Sequence, residues 1–240
     1  MQTKKYEVLA TVTARGGSKR IPKKSIVPLL GKPAMVYVIE ALKKAKRVTR
    51  LIVDTDDAEI AEIGRNVGAE IPFMRPAYLA IDTAPHEATL KYELDFLKKK
   101  DGYMPDAMVL VQPTSPLVAS GEVNRCIELL FAEHLDSVES VFEVPTHFHP
   151  FAQRIIDGKG FTHFLFEKER AESKRTRNKP ATYAMGNVYC FRPSNLERFG
   201  TVQGEKSKSV IIERRNAIDI DELFDVEIAE IVLKNQKNRI

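Results

Sequence analysis

The chain has 240 residues, 43% hydrophobic and 29% charged, which is ordinary for a soluble globular protein. No apolar run approaches the roughly 20 residues that span a bilayer, and the first residues lack a signal peptide's apolar core, so we expect neither membrane insertion nor secretion. The formal net charge of +4 is too small to predict a nucleic-acid partner. Cys126 and Cys190 are expected to be buried and reduced, which fits a cytoplasmic protein.

Strand-like apolar runs alternate with helical patterns through most of the first half of the chain. Strands are predicted at 7–13, 50–54, 70–74 and 107–112. Helices are predicted at 34–46, 57–67, 86–99 and 120–134. This order predicts an α/β fold with a doubly wound, mostly parallel sheet, and such sheets bind ligands at the carboxyl ends of their strands.

The alternation fails after a further predicted strand at 137–144. Residues 145–182 are polar and basic, and the strand pattern resumes only at 186–191, ahead of a last helix at 222–236. We interpret 145–182 as a small segment inserted into one domain that spans 1–240. Residues 168–179 contain six basic and two acidic residues, so an acidic substrate, an RNA and a solvated loop all remain possible there.

A glycine pair directly follows the first predicted strand, in the sequence Ala14-Arg15-Gly16-Gly17-Ser18. Paired glycines allow a sharp turn that exposes backbone amides. Five basic residues and no acidic one lie between Arg15 and Ser25, namely Arg15, Lys19, Arg20, Lys23 and Lys24. Cations and amides at a strand's carboxyl end suit a polyphosphate, and a solvated basic loop is the alternative. The spacing matches neither a Walker A loop nor the dinucleotide fingerprint.

The run from Ala14 to Pro33, A-R-G-G-S-K-R-I-P-K-K-S-I-x-P-L-x-G-K-P, resembles the signature loop of the sugar-activating cytidylyltransferases. It is most similar to the acylneuraminate cytidylyltransferases, which make CMP-sialic acid and related CMP-nonulosonates. Three more motifs follow in that family's order: R-P-x-x-L-A-x-D-T from Arg75, Q-P-T-S-P-L from Gln112 and D-I-D-x-x-x-D from Asp219. The resemblance implies a Rossmann-like nucleotidyltransferase fold.

The resemblance also implies a nucleotide site for CTP on the glycine turn. Arg15 and Lys24 would contact the phosphates, and Arg75 would help to hold the base and ribose, unless it only ties down a loop. The implied nucleotide-binding residues are Ala14, Arg15, Gly16, Gly17, Ser18, Lys24, Ser25 and Arg75.

The implied metal is Mg²⁺, held by Asp219 and Asp221. It would bridge the phosphates and activate the sugar hydroxyl, which attacks the α-phosphorus so that pyrophosphate leaves. The residues themselves agree, because aspartates at i and i+2 of an extended segment point the same way and carboxylate oxygens suit Mg²⁺. Such a pair also often caps a helix, as we expect Asp56 or Asp57 to do.

The expected second substrate is an acidic nine-carbon sugar, with Gln112, Arg175, Arg177 and Tyr189 as candidate binding residues. Gln112 offers a donor and an acceptor, and an arginine can pair with the sugar carboxylate. The lysine that sialate enzymes carry after a His-Pro pair is missing after Pro150. In similar proteins the inserted segment forms a dimer contact, so the resemblance implies a homodimer.

Three alternatives remain open from the sequence. The enzyme could use another nucleoside triphosphate or a sugar phosphate, because the departures from the family's motifs fall on the sugar side. It could instead be a catalytically silent protein that binds RNA or a nucleotide. A zinc site at His147, His149 and His163 is a third possibility, although no cysteine pair or His-Glu-x-x-His helix accompanies them.

Overall fold

The structure, a computed structural model, describes residues 6–237. Its strands are β1 (Val8–Thr13), β2 (Pro28–Leu29), β3 (Lys32–Pro33), β4 (Arg50–Asp54), β5 (Ala107–Val111), β6 (Ser137–Glu143), β7 (Arg154–Ile156), β8 (Thr162–Phe164), β9 (Tyr183–Phe191) and β10 (Ser207–Ile211). Its helices are α1 (Ala34–Lys44), α2 (Ala58–Asn66), α3 (His86–Asp101), α4 (Ser120–Ala132), α5 (Glu167–Thr176), α6 (Ser194–Arg198) and α7 (Leu223–Lys237).

Six of these strands form one central sheet in the order β10-β6-β9-β5-β1-β4. Strand β9 is antiparallel to both of its neighbours, whereas the β10–β6, β5–β1 and β1–β4 pairs are parallel. The predicted doubly wound, mostly parallel sheet is therefore confirmed. Because five strands run in the same direction, their carboxyl ends lie at one edge of the sheet, where ligands bind in folds of this kind.

Strand β1 separates two apolar layers by simple alternation. Val8, Ala10 and Val12 pack into a core with α1, α2 and α4, whereas Leu9 packs on the opposite face with α3 and α6. Successive side chains of a strand point to opposite faces, so both faces of β1 are covered by helices. Burying one Leu or Ile side chain in such a layer contributes about 1.5–3 kcal/mol, which makes these layers the main source of stability.

Local signals fix where the helices beside the site begin and end. Asp57 caps α2, because its side chain accepts hydrogen bonds from the amides of Glu59 and Ile60. Helix α3 starts after Pro85 and ends at Gly102, whose φ of 68° is the left-handed conformation that glycine adopts readily. The predicted capping role of Asp57 is thus confirmed.

The sequence patterns miss two details of the sheet. The predicted strand at 70–74 forms only a single bridge, between Ile52 and Glu70, and Pro72 has no amide hydrogen with which to extend the pairing. Strand β10 was not predicted, because it is a polar edge strand in which only Val210 is buried. Edge strands commonly lack the apolar run that identifies a central strand.

The inserted segment, 145–182, differs from the rest in its exposure. It contains the β7–β8 hairpin and α5, and His149 is its one buried residue among those described. The guanidinium carbons of Arg154 and Arg170 lie 4.6 Å and 3.9 Å from the centre of the Phe164 ring, which attaches the hairpin to α5. This segment is therefore held by surface contacts rather than by a core of its own.

Candidate active site

An open cavity of about 310 Å³ lies at the carboxyl ends of β1 and β5. Its lining residues are Thr13, Arg15, Ser18, Lys24, Ser25, Arg75, Leu79, Ile81, Asp82, Ala84, His86, Thr89, Gln112, Pro113 and Thr114. The chain runs from β1 to β4 on one side and reaches β5 on the other, so the cavity lies where the strand order reverses. That position is the usual ligand site of a doubly wound sheet.

The glycine turn forms part of the cavity wall through Arg15 and Ser18. Ala14 is buried, and its amide donates to the Asp54 carbonyl at 2.9 Å, so the turn starts at a fixed point of the sheet. The Gly16 amide donates to Asp56 Oδ1 at 2.9 Å. A β-carbon on Gly16 would lie only 2.8 Å from Asp57 Oδ2, whereas Gly17 faces open space. Glycine at position 16 is therefore required for the close approach of the turn to α2.

Two cations of the turn share one aspartate. Arg15 Nη1 lies 2.7 Å from Asp82 Oδ1, and Lys19 Nζ lies 2.5 Å from Asp82 Oδ2. The hydrogen bond from Lys19, together with the charges of Lys19 and Arg15, lowers the pKa of Asp82. These pairs are exposed, so each is weak and can be exchanged for a phosphate at little cost.

Lys24, which also lines the cavity, forms a second ion pair with Asp221. Lys24 Nζ lies 2.7 Å from Asp221 Oδ1, and Lys24 belongs to a short 3-10 turn at Lys24–Ile26. The hydrogen bond from Lys24 lowers the pKa of Asp221, with a smaller contribution from the charge of Arg20. Ser25, next in the chain, is buried and lines the cavity. The pair brings two residues that are far apart in sequence to one place.

Asp219 and Asp221 lie in the loop before α7 and flank Ile220. Both are exposed, whereas Ile220 between them is fully buried and its amide donates to the Thr114 carbonyl at 2.9 Å. The Thr114 and Ser115 hydroxyls donate to Asp219 Oδ1 at 2.5 Å and 3.3 Å. The Asp219 carboxylate is thus fixed next to the loop that follows β5 and lines the cavity, and Asp221 is linked to the cavity through Lys24.

Arg75 forms part of the buried floor of the cavity. Its Nε donates to Asp54 Oδ1 and its Nη2 to the Asp54 carbonyl, both at 2.9 Å. Asp54 is completely buried at the end of β4, and burial raises the pKa of its carboxyl while Arg75 opposes that rise. Arg75 therefore ties down a loop and also lines the cavity, and its contact with a base and ribose stays a prediction.

Several residues predicted for the sugar are not at this cavity. Gln112 lines it, at the end of β5. Tyr189 instead lies within the sheet on β9, opposite Leu110, and packs against the α3 face. Arg175 is exposed on α5 and pairs with Glu172, and Arg177 ends α5 in a left-handed conformation with a φ of 55°. The structure thus brings five of the predicted nucleotide-binding residues and Gln112 together at the cavity, but not the two arginines or Tyr189; the five are Arg15, Ser18, Lys24, Ser25 and Arg75.

Residues that no sequence signal singled out as site residues also line the cavity. His86 Nε2 lies 3.1 Å from Thr13 Oγ1, and burial, helped by the charge of Arg75, lowers the pKa of this histidine. Asp82 and Thr114 belong to the motifs that begin at Arg75 and Gln112, so those motifs could have identified them. His86 lies outside every motif, and no sequence signal could have identified it.

The histidines of the inserted segment do not gather into a metal site. His149 is buried, its Nδ1 accepts from the Phe151 amide, and its Nε2 lies 3.0 Å from the Pro180 carbonyl oxygen. Both ring nitrogens are therefore engaged with backbone. Within residues 6–237, no group of three or more His, Cys, Asp or Glu side chains is arranged to hold a metal ion.

Comparison with known proteins identifies the family. The profile of the family described as "Cytidylyltransferase" matches residues 9–153, which is more than half of the chain and includes the glycine turn, Arg75 and Gln112. The chain belongs to the cytidylyltransferase family and is by that membership a nucleotidyltransferase. The family and the enzyme class expected from the sequence motifs are thereby confirmed.

Two curated relatives align along nearly the whole chain. A pseudaminic acid cytidylyltransferase of Campylobacter jejuni is 26% identical over 227 residues, covering 94% of this chain and 96% of the relative. A CMP-N,N'-diacetyllegionaminic acid synthase of Legionella pneumophila is 27% identical over 231 residues, covering 95% and 96%.

A solved structure shows the same fold. It is a CMP:2-keto-3-deoxy-manno-octonic acid synthetase in complex with CTP, with a TM-score of 0.70 and 14% identity, covering 96% of this chain and 99% of that one. At this identity the likeness supports the fold alone. Among the described residues, no helix has both the length and the apolar character needed to cross a membrane.

Proposed function

We propose that this cytidylyltransferase transfers CMP from CTP to the anomeric hydroxyl of an acidic, sialic-acid-like nine-carbon sugar. The sugar oxygen bonds to the α-phosphorus, the bond from that phosphorus to the bridging oxygen breaks, and pyrophosphate leaves while the hydroxyl proton passes to solvent. One observation carries the proposal. Arg15, Lys24 and Gln112 line one cavity, and the Asp219–Asp221 pair is tied to its rim by Lys24 and Thr114.

The glycine turn and its cations are suited to the triphosphate. Arg15, Lys19 and Lys24 are paired with Asp82 and Asp221. A triphosphate offers these cations more charge than the aspartates do, and it can replace these exposed pairs without leaving a buried charge. The cations then neutralise charge on the phosphates as pyrophosphate departs, which lowers the barrier without covalent chemistry from the protein.

Asp219 and Asp221 are suited to hold Mg²⁺. Asp219 has one oxygen fixed by two hydroxyls, which leaves Oδ2 for a cation, and Asp221 follows two residues later in the same loop. Hard carboxylate oxygens on a fixed backbone are the donors that Mg²⁺ prefers. When bound, the ion would neutralise phosphate charge and increase the acidity of the sugar hydroxyl. Lys24 donates to one oxygen of Asp221, and this hydrogen bond lowers the pKa of that carboxyl.

An acidic sugar is supported by the names of the two relatives, a pseudaminic acid cytidylyltransferase and a CMP-N,N'-diacetyllegionaminic acid synthase. We propose that Arg175 or Arg177 binds the sugar carboxylate. Neither lines the cavity of its own chain, so we further propose a homodimer in which the inserted segment reaches the partner's site. Exposed apolar side chains on the segment support a dimer contact: Phe148, Ile155, Ile156, Phe161, Leu165 and Phe166.

We also propose that the enzyme works in the cytoplasm. Cys126 and Cys190 are both free and buried, which suits a reducing compartment. Burial raises the pKa of Cys126 to about 12, so this thiol remains protonated and unreactive at neutral pH.

The test is pyrophosphate release from each of the four nucleoside triphosphates with a panel of acceptors. The panel contains pseudaminic, N,N'-diacetyllegionaminic and N-acetylneuraminic acids together with neutral sugars and sugar phosphates. We expect turnover with CTP and an acidic sugar. Turnover only with a sugar phosphate, or only with another nucleotide, would instead indicate a nucleotidyltransferase with that substrate. Salt-dependent RNA binding without any pyrophosphate release would indicate a catalytically silent binding protein.

A further inference from the structure

A buried carboxyl group beside the cavity has no role in the chemistry described so far. Glu93 lies on the inner face of α3, one turn after Thr89, which lines the cavity. Its side chain is completely buried, and Thr11 Oγ1 donates to Glu93 Oε2 at 2.8 Å. Thr11 belongs to β1 and lies on the face of the sheet that α3 covers, as does Thr13, which contacts His86. A hydroxyl is a neutral partner, so it does not balance the charge of an ionised carboxylate.

Asp54 is the second buried carboxyl group in this place. Arg75 Nε donates to Asp54 Oδ1, so the single positive charge of the cluster is already balanced by Asp54. Within the described part of the chain, Asp54 Oδ2 and Glu93 Oε1 are both buried and lack any hydrogen-bond partner. Two buried acceptors without donors are costly, and such exceptions in native proteins call for a physical explanation.

A single proton on Glu93 would give both of these oxygens, Glu93 Oε1 and Asp54 Oδ2, a hydrogen-bond partner. Burial, together with the nearby charge of Asp54, raises the pKa of Glu93 well above its ordinary value, whereas Arg75 opposes the rise at Asp54. Two further titratable groups act on this cluster. The charge of Asp56 adds to the rise in the pKa of Asp54. Burial lowers the pKa of His86, two turns earlier on α3, and favours its neutral ring. The cluster therefore has one negative charge, on Asp54, and one positive charge, on Arg75, if Glu93 holds the proton.

We propose that Glu93 is a neutral carboxylic acid that donates a hydrogen bond from Oε1 to Asp54 Oδ2 and thereby positions Arg75 for the nucleotide. Asp54 engages Nε and Nη2 of Arg75, which leaves Nη1 as the donor for a ligand in the cavity that Arg75 lines. The hydrogen bond from Glu93 fixes the Asp54 carboxylate plane, and that plane fixes the guanidinium. Glu93 is thus a positioning residue, and this role rests on the proposed binding of CTP beside Arg75.

Three variants of the whole chain test the proposal. Glu93→Gln keeps a neutral donor for Asp54 and an acceptor for Thr11, whereas Glu93→Leu keeps the volume and removes both. Asp95→Asn, at an exposed position of the same helix, is the control. We expect calorimetry to find CTP affinity within about twofold of wild type for Glu93→Gln, and about tenfold weaker for Glu93→Leu. The KM for the sugar should stay unchanged in all three.

Infrared difference spectra test the proton itself without any nucleotide. At neutral pH the wild type should show the carbonyl stretch of a protonated carboxylic acid, which Glu93→Gln abolishes and Asp95→Asn retains. Absence of this band, or equal loss of CTP affinity in Glu93→Gln and Glu93→Leu, would overturn the proposal. If Glu93→Leu does not fold, the band and the Glu93→Gln affinity still decide it. A wild type that does not bind CTP would instead overturn the proposed function, and the band would still report whether Glu93 is protonated.

Discussion

The glycine-turn cavity and the inserted segment 145–182 are organised in opposite ways. Around the cavity, nearly every charge has a partner within the chain: Arg15 with Asp82, Lys24 with Asp221, and Arg75 with the buried Asp54. The inserted segment is almost wholly exposed, and it places aromatic and aliphatic side chains in solvent beside its arginines. The cavity is thus complete within one chain, whereas the arginines proposed to bind the sugar, on the inserted segment, line no part of that cavity.

This difference indicates that the nucleotide and the sugar are recognised by different regions of the molecule. A triphosphate is common to all members of a nucleotidyltransferase family, so a rigid and pre-paired site can serve it at little cost of ordering. The sugar varies between relatives, as their names show for pseudaminic and legionaminic acids. Variable recognition is more easily placed on exposed segments that tolerate substitution. The comparison therefore predicts that cavity substitutions affect nucleotide and turnover, and that segment substitutions affect the sugar.

The largest effect is expected for Asp221→Asn. The substitution removes one carboxylate of the proposed Mg²⁺ pair, and the loss of metal-based charge stabilisation should lower kcat by on the order of a hundredfold or more. Asp221 is exposed, so the free energy of unfolding should change little. Pyrophosphate release over a range of Mg²⁺ concentrations measures the first effect and urea denaturation the second. Glu222→Gln, an exposed neighbour, is the control, and near-normal turnover in Asp221→Asn would refute the metal assignment.

The next effect concerns the nucleotide alone. Replacing Arg15 or Lys24 with Ala removes a charge-assisted contact to phosphate, which should weaken CTP binding by about 1–3 kcal/mol. Calorimetric titration of CTP measures this change, and Lys46→Ala, an exposed cation beyond α1, is the control. Unchanged affinity in both variants would mean that the glycine turn does not hold the triphosphate.

The sequence predicted the cavity better than the segment for a physical reason. The glycine pair, Arg75 and Gln112 occur directly after strands or inside fixed motifs, so the sheet brings them together wherever the strands are assigned correctly. The ion pair of Lys24 with Asp221 joins residues 197 positions apart and was not predicted, although the family motifs assigned both residues to one site. Arg175 and Tyr189 were predicted to bind the sugar, but neither directly follows a predicted strand, so the sheet did not determine their position. The Glu93 cluster was missed, because a buried glutamate on an amphipathic helix resembles any polar residue.

A smaller effect, confined to the sugar, is expected from Arg175→Ala or Arg177→Ala. One of the two should raise the KM for the acidic sugar about tenfold and leave that for CTP unchanged, because a guanidinium pairs with a carboxylate in two places. The Glu172 partner of Arg175 is exposed, so releasing this arginine costs little. Steady-state kinetics with both substrates varied measures the effect, and Lys174→Ala is the control. A preference of the wild type for a neutral sugar would contradict the carboxylate contact.

The dimer gives this prediction a sharper form. If the arginine acts on the partner's cavity, then Arg175→Ala or Arg177→Ala protein mixed with Asp221→Asn protein should recover part of the activity. The mixed dimer then has one cavity with an intact Asp221 and an intact partner arginine. Sedimentation of the wild type establishes whether a dimer is present. A dimer whose mixtures recover no activity would show that the arginine acts on its own chain.

The last effect, which concerns stability rather than the reaction, is a pH dependence that arises from Glu93. In the folded protein, burial and the charge of Asp54 raise the pKa of Glu93, whereas the unfolded chain has the ordinary value of about 4.3. As the pH rises above that value, the unfolded state releases this proton and the folded state retains it. The free energy of unfolding should therefore fall by about 1.4 kcal/mol per pH unit, until the pH reaches the pKa of Glu93 in the folded protein.

Glutamine has no proton to release, so the stability of wild type relative to Glu93→Gln should decrease between about pH 5 and about pH 7. Urea denaturation at both pH values measures it, with Asp95→Asn as the control. Parallel pH dependences in wild type and Glu93→Gln would show that Glu93 is ionised in the folded protein, because only a retained proton produces the difference.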